Sequence, residues 1–232
     1  MMPHYPRPVR YRWATLLCGA LSLLVCAVPC VAEIQGFPAS VRAYDSREVA
    51  MLPEYCKFTQ EFRDLVPGAK APDEAKRWAS VFGETFKDLH HYCWGLMKTN
   101  RALILARTRQ DRQFYLADSI GEFDYVIDHA TREFVLLPEI LTRKGENLLS
   151  LGRAAQGVAQ LRQAIELKPD YWPPYGALSD FYMKNGETAK ARETLDEGLS
   201  RSPEAAALKR RLAELDAGKR ATPSSNSSRS PR

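Results

Sequence analysis

The chain is predicted to be all-α, with antiparallel helical hairpins stacked as a short α-solenoid beside irregular N-terminal helices. Three observations carry this expectation. Pro169 and Pro203 stand 34 residues apart, at equivalent places in two stretches that share one pattern of large and small apolar residues. A period of that length marks a helical-hairpin repeat. No stretch of useful length alternates apolar and polar residues as a strand does, and no glycine-rich phosphate loop is present.

The first 32 residues carry Arg7, Arg10 and Arg12, no acid, and then an apolar run from Trp13 to Val31 that ends Cys30-Val31-Ala32. This is the three-part plan of a secretory signal peptide, with cleavage expected after Ala32 and a second choice after Ala27. The alternative is an uncleaved anchor, since about 20 apolar residues cross a bilayer. Cleavage places the protein in the periplasm or outside the cell and leaves Cys56 and Cys93. Two cysteines in an exported chain point to one disulfide, closing a loop of 37 residues between two aromatic-rich segments.

Residues 33–137 read as irregular helices. Arg47 to Asp64 is one amphipathic stretch, Pro72-Asp73 opens a second that runs past Trp78 to Phe82, and Phe86 to Arg107 makes a long third. Gln113 to Phe134 makes a fourth, with Phe114, Ile120, Phe123, Ile127 and Ala130 at helical spacing. The last two helices form a degenerate hairpin ahead of the regular ones. His90-His91-Tyr92-Cys93-Trp94 is the densest cluster of reactive side chains. It is expected to be structural, with Cys93 bridged to Cys56; the competing reading is a metal or redox site using His90 and Cys93, three apart on one helical face.

The repeats are expected over 138–171 and 172–205. Leu141 and Leu148 in the first, and Tyr175 and Tyr182 in the second, fall on one face of the leading helix. The trailing helices carry Gly157 with Ala164 and Ala191 with Gly198, each pair flanking Leu161 or Leu195. Small residues there let the backbones approach. Gly152 and Gly186 end the leading helices, where a glycine takes the left-handed conformation. Ser202-Pro203-Glu204 reads as the start of a polar capping helix through about Asp216, and 218–232 as a disordered tail of Ser, Pro and Arg.

These residues resemble the tetratricopeptide repeat family, whose pattern runs aromatic, Leu-Gly, Tyr, Ala, Phe, Ala, Pro. The second unit matches through Tyr175, Leu178, Tyr182, Gly186, Ala191, Leu195, Gly198 and Pro203, with Ser179 where the family prefers glycine. The first matches through Gly145, Gly152, Ala164 and Pro169, with Lys144 in place of leucine. The match covers Pro138 to Asp216. The resemblance implies a concave groove lined by the leading helices, here Glu139, Thr142, Glu146, Leu149 and Ser150, then Pro173, Gly176, Asp180, Met183 and Lys184. It further implies a protein or peptide partner, with Glu146 and Asp180 disfavouring an anionic chain end. Either a partner or the protein's own N-terminal helices occupy that groove.

Function follows from these parts. The chain holds 33 basic and 28 acidic residues. Three of the basic residues lie in the leader and four in the tail, so the part between is near neutral and a nucleic-acid partner is not expected. No membrane contact is expected unless the leader stays attached. Only three histidines follow the leader, and no Ser-His-Asp constellation can be assembled from them. The expectation is a non-enzymatic interaction module without a cofactor, a scaffold or assembly factor of the exported bacterial type.

Overall fold

The computed structural model of the protein describes residues 46–221. The leader, and the tail beyond Ala221, lie outside the described residues. Among those residues the chain forms helices and turns only: α1 (Ser46–Ala50), α2 (Phe62–Leu65), α3 (Pro72–Phe82), α4 (Leu89–Asn100), α5 (Arg109–His129), α6 (Leu137–Ser150), α7 (Ala154–Leu167), α8 (Pro173–Lys184), α9 (Thr188–Arg201) and α10 (Ala206–Ala221). The all-α solenoid is thus the architecture observed.

Glycines let the repeat hairpins α6–α7 and α8–α9 pack closely, backbone to backbone in the first and under neighbouring side chains in the second. A Cβ on Gly157 would lie 2.9 Å from the Gly145 carbonyl oxygen and 2.7 Å from Leu149, and one on Gly145 would lie 2.8 Å from Leu161. Gly198 is hemmed in by Tyr175 and Leu208. Both hairpins turn the same way. Gly152 and Gly186 sit at φ 80° and 76°. The N–H of the glycine and of the next residue reach back to Leu149 and Leu148 in one turn, and to Met183 and Tyr182 in the other. This six-to-one and five-to-two pattern satisfies carbonyls the helix end would otherwise orphan.

The helix pair α4–α5 stands ahead of these as a third antiparallel hairpin. Gly95 of α4 takes the buried ring of Phe123 so closely that a Cβ there would lie 2.3 Å from it. Asn147 of α6 ties this hairpin to the next: its side-chain nitrogen donates to the Thr99 hydroxyl on α4 (2.7 Å) and the Ser119 hydroxyl on α5 (2.8 Å). Those hydroxyls donate in turn to the carbonyls of Gly95 and Leu116. Every donor in this buried junction therefore has an acceptor.

Several elements differ from expectation. The stretch Arg47–Asp64 is not one helix but α1, a 3₁₀ turn at Glu54–Phe58, and α2. Pro53, in polyproline-like geometry (φ −53°, ψ 144°), breaks it first. Glu61, at φ 62°, breaks it again. The 3₁₀ turn is held to α4 by a disulfide between Cys56 and Cys93, both fully buried. Phe114 faces solvent, because α5 begins at Arg109 and ends at His129 in a register that buries Tyr115, Ile120 and Phe123 instead. Ser202 does not cap α10. Its hydroxyl donates to the Asp170 carbonyl of the preceding loop, and α10 starts four residues later and runs to Ala221, past the expected end at Asp216.

Among the described residues two large apolar clusters fill the solenoid, with a small third around Ala102, Tyr115 and Leu116. One packs α4, α5 and the N-terminal turns around Phe62, Leu89, Tyr92 and Ile140. The other packs α8, α9 and α10 around Leu161, Tyr175, Leu195 and Leu208. The hairpin α6–α7 contributes to both.

Candidate functional site

The leading helices α4, α6 and α8 line a concave groove of about 920 Å³. Its wall runs from Thr99 and Leu103 at the first hairpin, through Arg143, Glu146, Asn147 and Leu149 on α6, to Ala177, Asp180, Phe181 and Lys184 on α8. Leu103, Leu149, Ala177 and Phe181 supply apolar surface, and the charged residues stand around it.

Of the residues expected in the groove, Glu146, Leu149, Ser150, Asp180 and Lys184 are there, and Pro173 and Gly176 do not line it. Glu139 is spent elsewhere, accepting a hydrogen bond from the Tyr92 hydroxyl at 2.8 Å. Thr142 is buried, and its hydroxyl donates to the Pro138 carbonyl one turn earlier. Met183 is exposed but outside the groove wall. Helical spacing places these residues on one side of α6 and α8, and their own contacts keep Glu139 and Thr142 from the cavity.

The electrostatics depart from the sequence reading. Asp180 is held by Arg211 of α10, whose guanidinium donates to both carboxylate oxygens at 2.9 and 2.8 Å. Arg211 reaches it across Gly176, where a Cβ would lie 3.4 Å from the guanidinium carbon. Glu146 faces Arg143 at 3.5 Å. Burial pushes the Glu146 carboxyl above the usual carboxylate range, and Arg143 offsets part of that rise. Both acids thus have an arginine partner, and the charge that disfavours an anionic segment is largely neutralised. Lys184 is exposed beside them.

Sequence reasoning missed Arg211, Arg143 and Thr99. A glycine inside α8 was the one signal for Arg211, since a position without a side chain invites a neighbour to lie over it. The cluster around His90 and His91 also has a defined geometry. His90, His91, Tyr125 and His129 follow one another at ring separations of 4.3, 3.8 and 4.2 Å, the first pair tilted and the other two stacked. Their Nδ1 atoms engage the Lys87 carbonyl, the Glu122 carboxylate (2.6 Å) and the Tyr125 carbonyl. Burial, followed by the neighbouring His91, lowers the His90 pKa. Among the described residues, no three His, Cys, Asp or Glu side chains converge as metal ligands, and Cys93, bonded to Cys56, has no thiolate to offer.

Comparison with known proteins bears on the same region. A family model described as "Tetratricopeptide repeat" matches residues 148–215. An Hsp70-Hsp90 organizing protein of Triticum aestivum is 27% identical over 110 residues, which is 46% of this chain and 19% of that relative. The chain therefore spans less than a fifth of the relative's length. No solved structure matches. The closely packed glycines, the two glycine-ended turns and the family match agree, and the chain carries a tetratricopeptide repeat within its α-solenoid.

Proposed function

We propose that this protein is a non-enzymatic scaffold or assembly factor of the periplasm or cell envelope, exported by its N-terminal segment, which holds a segment of a partner protein in the groove of α4, α6 and α8. The observation that carries this reading is the groove itself: three successive leading helices present apolar side chains flanked by charge in an open concavity of about 920 Å³. A surface built this way buries a short helix or an extended segment. The wheat relative is named for organising two chaperones; what supports the reading is the class of activity that name describes, one protein holding others. The export step rests on the sequence of the first 32 residues alone.

The test is photo-crosslinking in the native host, from a photoreactive residue at Lys184 in the groove and from one at exposed Glu193 on α9 as control. A discrete partner band from Lys184 alone is expected. Equal bands from both sites, or crosslinks confined to the chain itself, would overturn the assignment of the groove.

A further inference from the structure

The tip of the first hairpin, where α4 turns into α5, carries a surface that the groove does not explain. At Arg101–Leu105 the helix widens into a π turn, closed by the Ala106 N–H donating to the Arg101 carbonyl at 2.8 Å. The turn ends the helix, and the chain is extended at Ala106. Here the turn puts Leu103 and Ile104 out in solvent, 57% and 61% exposed, and Phe114 at the start of α5 is 58% exposed. Leu103 also forms the outer lip of the groove. Among the described residues other large apolar side chains are no more exposed than these, and here three stand within the stretch 103–114.

Charge marks the same tip. Between Ile104 and Phe114 lie Arg107, Arg109 and Arg112, all exposed, and one acid. That acid, Asp111, is engaged in a capping box with Thr108. Arg109 and Arg112 stand in the opening turns of α5, where the helix dipole favours acids and makes cations costly. Local helix stability favours acids there, so the helix itself does not account for these two arginines. Neither arginine packs over a ring or closes the hairpin.

From this combination we infer that the α4–α5 tip docks on an anionic phospholipid surface. Leu103, Ile104 and Phe114 enter the interfacial layer, and Arg107, Arg109 and Arg112 meet lipid phosphates, to which a guanidinium donates in a bidentate fork. A convex tip suits this partner. Apolar side chains that project singly from a turn insert between headgroups, whereas a folded protein would need a matching cavity for each. No helix among the described residues is long and apolar enough to cross a membrane. A contact here would hold one lip of the groove at the bilayer surface.

The test is hydrogen–deuterium exchange of the full chain, as its host leaves it, with vesicles of equal parts phosphatidylcholine and phosphatidylglycerol, against vesicles of phosphatidylcholine alone. Exchange in the peptide covering 101–115 should slow with the anionic vesicles only, and added salt should reverse the slowing. The triple variant Arg107→Gln, Arg109→Gln, Arg112→Gln should need on the order of a hundredfold more lipid for the same slowing, at about one order of magnitude or less per arginine. Its unfolding midpoint should stay at or above that of the parent. No slowing at this peptide, equal slowing on both vesicles, or slowing by soluble polyglutamate with none by vesicles would each overturn the assignment. The last result would reassign the tip to an acidic protein. Because the readout is local to 101–115, the outcome is independent of the Lys184 crosslinks that test the groove.

Discussion

Arg211 of the capping helix grips both carboxylate oxygens of Asp180 inside the groove, so the last helix of the solenoid sets the charge of the surface built by the first ones. Asp180 is more than half exposed in this pair, and exposed pairs contribute no more than about 1 kcal/mol. Arg211→Ala should therefore barely move the unfolding midpoint while leaving Asp180 unneutralised. Salt titration of partner capture from Lys184 is the measurement that reads the change. An unfolding loss well above about 1 kcal/mol would mean that Arg211 holds α10 in place by packing.

Gly95 against Phe123 should be the most sensitive glycine of the first hairpin. Gly95→Ala sets a methyl 2.3 Å from a fully buried ring and should cost about 1 to 3 kcal/mol. Gly121→Ala, in helix α5 with open space around its Cβ, should gain about 0.5 to 1 kcal/mol by its better helix propensity. Chemical denaturation of the two variants compares them, and equal effects would contradict the packing described.

The disulfide between Cys56 and Cys93 closes 37 residues. Reduction should cost about 3 to 4 kcal/mol on the chain-entropy account. The folded protein should leave both cysteines unlabelled by a thiol reagent, with the modified peptides mapped by mass. Stoichiometric labelling at Cys56 and Cys93 before denaturation would show the bond absent.

Asn147 should matter more than its size suggests. Asn147→Ala strips a donor from two buried hydroxyls on two other helices and should cost about 1 to 3 kcal/mol. Asn185→Ala, which removes an exposed bond to its own helix, should stay within about 0.5 kcal/mol. Thermal unfolding separates them.

Alkali should unfold the protein through its buried tyrosines. Burial first, and the nearby Glu139 second, raise the Tyr92 pKa well above its ordinary value. Tyr171 is pushed up to about 12 for the same two reasons. A phenol raised in the folded state keeps its proton there while the unfolded chain loses it. Stability is therefore full below about pH 10 and falls as pH climbs from there toward the folded-state value. Tyr92→Phe should flatten that fall, at a neutral-pH cost of about 1 kcal/mol for the bond to Glu139. Denaturant midpoints measured across the alkaline range would decide it.

The repeats were legible because their rules are local. Gly157 packs on the Gly145 carbonyl, Gly198 on Tyr175 and Leu208, and Ala164 and Ala191 are fully buried, so each small residue leaves a signature at fixed spacing. The groove was half legible. The family resemblance put Glu146, Asp180 and Lys184 in the groove, where they are, but it put Thr142 there as well, and that residue is buried with its hydroxyl on the Pro138 carbonyl. Arg211 left almost no trace, since its role depends on how α10 crosses α8, a relation no short window contains. The N-terminal turns were misread for a like reason. The amphipathic pattern from Arg47 to Asp64 runs straight through Pro53, and the left-handed Glu61 goes with a tertiary contact, its carboxylate accepting from the Trp94 indole.

The hairpin α6–α7 feeds both apolar clusters, with Ile140 and Ala164 in one and Leu161 and Ile165 in the other, and the groove lies across that division. The solenoid can therefore loosen as two halves meeting at a seam. A segment laid from Leu103 to Lys184 spans the seam like a splint, and the halves that separate independently when empty would then give way together.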